Sequence, residues 1–180
     1  MEKILWTTIL AQTRKFRIEW IDIDFDNGNQ AQFEIVSFHD EGKGVMILPL
    51  EQEWWSRYVI MIEHFCVGTE QKMLLLPWGY WEPGLSLEEI ANKELQEEIG
   101  MKAQEIKQLT TISLMPSYMR WTTILCQATH LSSSHLQGDE LESLTVHRFL
   151  YADALRMIDD GRISDARTMV GLLYGQSIVW

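Results

Sequence analysis

"GYWEPGLSLEEIANKELQEEIGM", Gly79 to Met101, reads as a turn running into a single helix. Pro83-Gly84 makes the turn, Ser86 stands where an N-cap belongs, and Glu89 three residues on completes a capping box. Gly100 suits the C′ position, where the backbone turns left-handed. The helix signals cover residues 86–99. The last turn carries Glu94, Glu97 and Glu98, at the end where the helix macrodipole disfavours negative charge.

With Glu94 set at zero and about 100° per residue, Leu87, Ile90, Ala91, Leu95 and Ile99 fall on an arc from about −40° to +140°. Glu94 and Glu98, at about +40°, lie inside that arc, and Glu97 lies on its border at about −60°. Glu89, Asn92, Lys93 and Gln96 fall on the opposite side, which reads as the solvent face. A solvated acidic face accounts poorly for this pattern. Like charges three and four apart cost about 0.2–0.5 kcal/mol per pair, and a carboxylate facing the core costs more unless something neutralises it. A bound cation removes these objections. Oxygen donors with no His or Cys among them point to Mg²⁺, with Mn²⁺ possible, and to a phosphorylated substrate attached to the ion.

Outside this stretch, the 180 residues are 46% hydrophobic, enough for a compact domain with a real core. The formal net charge of −11 argues against a basic nucleic-acid surface. No apolar run approaches the roughly 18 residues of a membrane span, and no signal peptide is visible; the expected compartment is the cytoplasm. Cys66 and Cys126, the two cysteines, read as buried reduced thiols.

Residues 16–25 and 30–38 alternate apolar and polar around Asn27-Gly28, the pattern of a hairpin. Segments 45–50, 57–65 and 72–79 are short apolar runs of the buried-strand kind. Strand-like segments follow at 109–114, 122–129 and 144–150, and helical spacing at 151–161 and 164–176. This order predicts an α/β sandwich around a central sheet, with antiparallel strands ahead of it. The expected division is residues 1–44 as the N-terminal sheet region and 45–180 as the catalytic domain.

The stretch that begins at Gly79 resembles the signature of the Nudix hydrolases, G-x5-E-x7-R-E-U-x-E-E-x-G-U with U a bulky aliphatic residue. Gly79, Glu94, Leu95, Glu97, Glu98, Gly100 and Met101 fill their positions. The segments around 13–28, 113–118, 136–149 and 163–174 are similar to the branch of ADP compounds hydrolases and ADP-ribose pyrophosphatases. The resemblance implies a Nudix α/β/α sandwich with a mixed central sheet. It also implies cleavage of ADP-ribose, NADH or diadenosine polyphosphates to AMP and a phosphorylated product, and a homodimer whose N-terminal strands help build the adenine site.

On the same resemblance Glu94, Glu97 and Glu98 hold the metal with the carbonyl of Trp78 or Gly79. Glu97 serves as ligand or base, and Glu140 or Glu142 in the acidic loop is an alternative base. Trp78, Trp81, Ser117 and Tyr118 are the candidates for substrate contact. Two positions depart from the signature: Leu85 stands for the first Glu, and Lys93 for the Arg that pairs with it. That pair is therefore gone as a unit. Glu63-His64 and Met73 depart in the substrate region. The competing readings are a Nudix-fold protein that binds nucleotides without turning them over well, and an interaction protein without a ligand.

Overall fold

Asn27-Gly28 closes the hairpin that its sequence announces. Gly28 takes φ +81°, its N–H reaches the Phe25 carbonyl at 2.9 Å, and the flanking strands pair antiparallel from Phe16–Phe38 to Asp24–Gln30. The computed structural model describes residues 1–39, 42–138 and 144–177. Within them the order is β1 (Lys3–Gln12), β2 (Phe16–Asp24), β3 (Gln30–Phe38), β4 (Lys43–Glu53), β5 (Ser56–Cys66), β6 (Gln71–Leu75) and β7 (Trp78–Tyr80). Then come α1 (Leu87–Glu98), β8 (Met101–Ser113), β9 (Thr122–Ser133), β10 (Thr145–Leu150), α2 (Tyr151–Asp159) and α3 (Ala166–Gln176).

The chain forms two compact units, Met1–Gly44 with Ile112–Thr123, and Val45–Thr111 with Ile124–Trp180. In the first, three strands pair in the order β1-β2-β3. β1 is an addition to the strands read from sequence. Its pairing with β2 is interrupted between Ile4 and Trp6 and between Ile9 and Ala11, and such bulges break the two-residue period by which a strand is recognised. Met119 lies beside Val36 of β3 in a parallel bridge. The Val36 N–H donates to the Tyr118 carbonyl and the Arg120 N–H to the Val36 carbonyl, both at 2.8 Å. Arg120 also meets the buried Glu19 at 3.4 Å, and the Phe38 ring stands 5.0 Å from Phe16 and 4.5 Å from Trp121.

The second unit is built on a seven-stranded sheet, ordered β10-β5-β4-β9-β8, with β6 on β5 and β7 on β4. β4 shows why this is a layered fold. Val45 and Ile47 join Ile60, Ile62 and Cys126 in one cluster with Ile90, Ala91, Leu95 and Ile99 from α1. On the other face Leu48 meets α3 so closely that a Cβ at Gly175 would lie 2.7 Å from it. The sheet is thus covered by α1 on one side and α3 on the other, the expected α/β/α sandwich. Each fully buried Leu or Ile in this core contributes about 1.5–3 kcal/mol.

The capping box of α1 is present. Ser86 Oγ accepts from the Glu89 N–H at 3.2 Å, and Glu89 Oε2 accepts from the Ser86 N–H at 2.8 Å. The side read as solvent-facing is corrected in part. Asn92 Oδ1 accepts from the Ala103 N–H at 2.8 Å, and Gln96 Nε2 donates to Ser134 Oγ at 2.9 Å, so both are half-buried against the ends of β8 and β9. Cys126 is buried, and desolvation pushes its thiol up to about 12. Cys66, read as buried, is half-buried near the end of β5. Among the described residues no helix is long and apolar enough to cross a membrane.

Candidate active site

The acidic end of α1 is folded onto the strand just before it. Glu98 is only 7% exposed, and its Oε2 accepts from the Trp78 N–H at 3.0 Å. Glu94 lies over Gly79: a Cβ there would stand 2.0 Å from Glu94 Oε1 and 2.1 Å from its carboxyl carbon. No residue but glycine admits the Glu94 carboxylate in that position. The two carboxylates that helical spacing turns toward the body of the protein therefore converge on the Trp78–Gly79 turn. Glu97 is half-buried and lies one turn beyond Lys93.

Lys93 is paired. Its ammonium donates to Glu82 Oε1, which ties the turn after β7 to the middle of α1. That hydrogen bond raises the Lys93 pKa above its ordinary value. The charges of Glu97, Glu82 and Glu94 act in the same direction, and burial opposes them. Leu85 is turned away, packed against the apolar cluster beneath α1.

A cation and a helix N-terminus also meet the segment around Trp78. The Arg167 guanidinium lies 4.8 Å from the Trp78 ring centroid and 3.4 Å from Asp165. Asp165 caps α3 through the Thr168 N–H at 2.9 Å, and the Thr168 hydroxyl accepts from the Leu76 N–H at 3.2 Å. The start of α3 is thereby fixed to the segment that leads into β7. Neither Glu82 nor Arg167 stands out in the sequence. Glu82 sits in a turn without periodicity, and Arg167 reads as an ordinary charge in the first turn of a helix.

The donors at this corner are carboxylate and main-chain oxygens, a set that fits a hard divalent ion. Among the described residues no group of three or more His, Cys, Asp or Glu side chains is arranged to hold a metal ion by itself.

Several comparisons bear on the family. The N-terminal segment, residues 3–34, matches the NudE-type Nudix hydrolase N-terminal domain. The ADP compounds hydrolase NudE of Escherichia coli (strain K12) is 32% identical over 169 residues, which are 94% of this chain and 88% of that one. The chain belongs to the Nudix hydrolase family. The ADP-ribose pyrophosphatase of Bacillus subtilis (strain 168), 27% identical, covers 86% of this chain and 82% of its own. A crystal structure of an ADP compounds hydrolase superposes with a TM-score of 0.86 at 31% identity, over 99% of this chain and 97% of that chain. The Nudix fold expected from the sequence is thus the fold observed.

Of the other candidates in this Nudix chain, Trp78 is half-buried and stands 5.4 Å from Tyr80, while Trp81 packs against the α1 core cluster. Ser117 and Tyr118 belong to the first unit. Ser117 lines a cavity of about 470 Å³ with Ile21, Ile23, Phe33 and Arg120, and Tyr118 is exposed. Glu140 and Glu142 lie outside the described residues.

Proposed function

We propose that this chain is a metal-dependent pyrophosphohydrolase that cleaves nucleoside diphosphates linked to a second group, of the ADP-ribose, NADH or diadenosine polyphosphate kind. The observation that carries the reading is the convergence of Glu94 and Glu98 on the Trp78–Gly79 turn. The names of the relatives support the substrate class.

A divalent ion, Mg²⁺ or Mn²⁺, would supply charge neutralisation for the pyrophosphate when bound. Glu94 and Glu98 are its side-chain ligands in this reading, with the carbonyl of Trp78 or Gly79 beside them. Glu97 is a third ligand or the base that accepts the proton from the attacking water. Glu140 and Glu142 are the alternative bases. Water adds to one phosphorus of the P–O–P bridge, and AMP and a phosphorylated fragment separate. The Trp78 indole offers a stacking surface for an aromatic base. Leu85 and Lys93 make the Nudix box non-consensus, and the reading keeps catalysis because the carboxylate positions are intact.

The working form in this reading is a homodimer. β1 is a ten-residue edge strand whose Trp6, Ile9 and Leu10 are exposed. Long apolar edges of this kind are places where a second chain pairs.

A product assay tests the function. The protein is incubated with Mg²⁺ and ADP-ribose, NADH or diadenosine triphosphate, beside a Glu97→Gln/Glu98→Gln control. The expected result is AMP that the control does not release. Nucleotide binding without AMP would replace the hydrolase by a binding protein.

A further inference from the structure

We infer that Glu82, through its ion pair with Lys93, is a positioning residue for the acidic end of α1. The inference rests on the reading of Glu94, Glu97 and Glu98 as the metal-holding set. Glu82 lies two residues beyond β7 and four before the N-cap Ser86. Its partner sits in the middle of α1, eleven residues away. The pair therefore spans the two pieces of chain that the site joins: the strand that carries Trp78 and Gly79, and the helix that carries the carboxylates.

The turn between them is held on two sides. Trp81 and Leu85 pack inward on the apolar cluster, and Glu82 points the other way, to the helix. The side chains of Lys93 and Glu82 are 39% and 41% exposed, and pairs as open as this add little to folding stability. Their effect lies in what they fix. Lys93 precedes Glu94 and stands one turn before Glu97, the spacing at which an ammonium reaches a carboxylate on the same helix. With Glu82 present, the ammonium is drawn toward the turn. Without either partner, the turn and the helix lose the link beside Glu94, the carboxylate that lies over Gly79.

The position of Leu85 follows from the same geometry. Residue 85 faces the apolar cluster and residue 82 faces the helix, so in this chain the carboxylate that meets residue 93 comes from three residues earlier. The ion pair that the sequence reads as lost is re-formed with a different partner.

Manganese binding to the full-length protein, followed by calorimetry, tests this without relying on turnover. Glu82→Gln is expected to weaken Mn²⁺ roughly 10-fold or more, as loss of a residue that orients metal ligands does, with an unchanged melting temperature. Lys93→Gln is expected to do the same, and the double variant to be no worse than either single one, because the two act as a unit. Lys93→Arg, which keeps the charge, is expected to bind more tightly than Lys93→Gln. Unchanged Mn²⁺ affinity in Glu82→Gln, or losses that add in the double variant, would overturn the inference. Glu97→Gln/Glu98→Gln, measured alongside, separates the two levels. If that variant binds Mn²⁺ like the wild type, the site reading fails and the inference with it. If it loses Mn²⁺ while Glu82→Gln does not, only the role of the pair fails.

Discussion

β1 and β4 are both long strands rich in apolar residues, and the fold treats them in opposite ways. In β4, Val45, Met46, Ile47, Leu48 and Leu50 are at most 1% exposed. In β1, Ile4, Trp6, Ile9 and Leu10 are 58%, 73%, 51% and 42% exposed. β4 lies between β5 and β9, with apolar neighbours above and below, and β1 is an edge. Apolar, β-branched composition reports that a segment suits a pleated surface. It does not report whether the same chain supplies the cover. For β4 the cover is intramolecular; for β1, the proposed second copy supplies it.

The contrast predicts unequal responses to truncation. Leu48→Ala is expected to lower the unfolding free energy by about 2–5 kcal/mol, measured by urea unfolding. Trp6→Ala is expected to change it by less than about 0.5 kcal/mol in dilute protein. Its effect belongs to sedimentation velocity: if the proposed dimer forms through β1, Trp6→Ala is expected to dissociate at a higher protein concentration than the wild type. Equal losses for the two variants in dilute protein would erase the distinction between the strands.

A narrower test stays within the second unit. Gly79→Ala places a methyl group where Glu94 lies. The obstructing atoms are the end of a flexible side chain, so the fold is expected to survive with its melting temperature little changed, while AMP release falls by about 10- to 100-fold. A variant that melts far lower would make Gly79 a folding residue and not a site residue.

The smallest effect concerns the far face of the sheet. Tyr151 is buried, its hydroxyl donates to the Leu172 carbonyl, and desolvation raises the phenol from 10 to about 12, with the nearby Arg57 charge opposing. The folded state thus favours the protonated phenol. Its contribution is complete below the unfolded value near 10 and is lost as pH rises from there through about 12. Unfolding curves of wild type and Tyr151→Phe should diverge in slope only in that window; parallel pH profiles would remove Tyr151 from the account.

The helix that anchors the site was legible in detail, because Ser86, Glu89 and Gly100 act through local geometry that spacing encodes. So were the hairpin at Asn27-Gly28 and the buried strands. β1 was not, since its bulges scramble the alternation. The inward direction of Glu94 and Glu98 followed from helical angle alone. The partner of Lys93 did not, because a turn residue's reach depends on the path of the chain. Most of β8 is not legible either: residues 101–108 are largely polar and five of them are exposed, and it is pairing with β9 that makes them a strand.

The far side of α1 has a mechanical consequence. Asn92 and Gln96 are fastened to Ala103 and Ser134, and the Gln96 carbonyl accepts from the Leu136 N–H at 3.1 Å. These bonds fix the roll of the helix about its own axis. A roll of about 100° would exchange neighbouring positions and bring Glu97 to where Glu98 stands. With the cylinder clamped in this way, side-chain torsion is the freedom left to Glu94, Glu97 and Glu98.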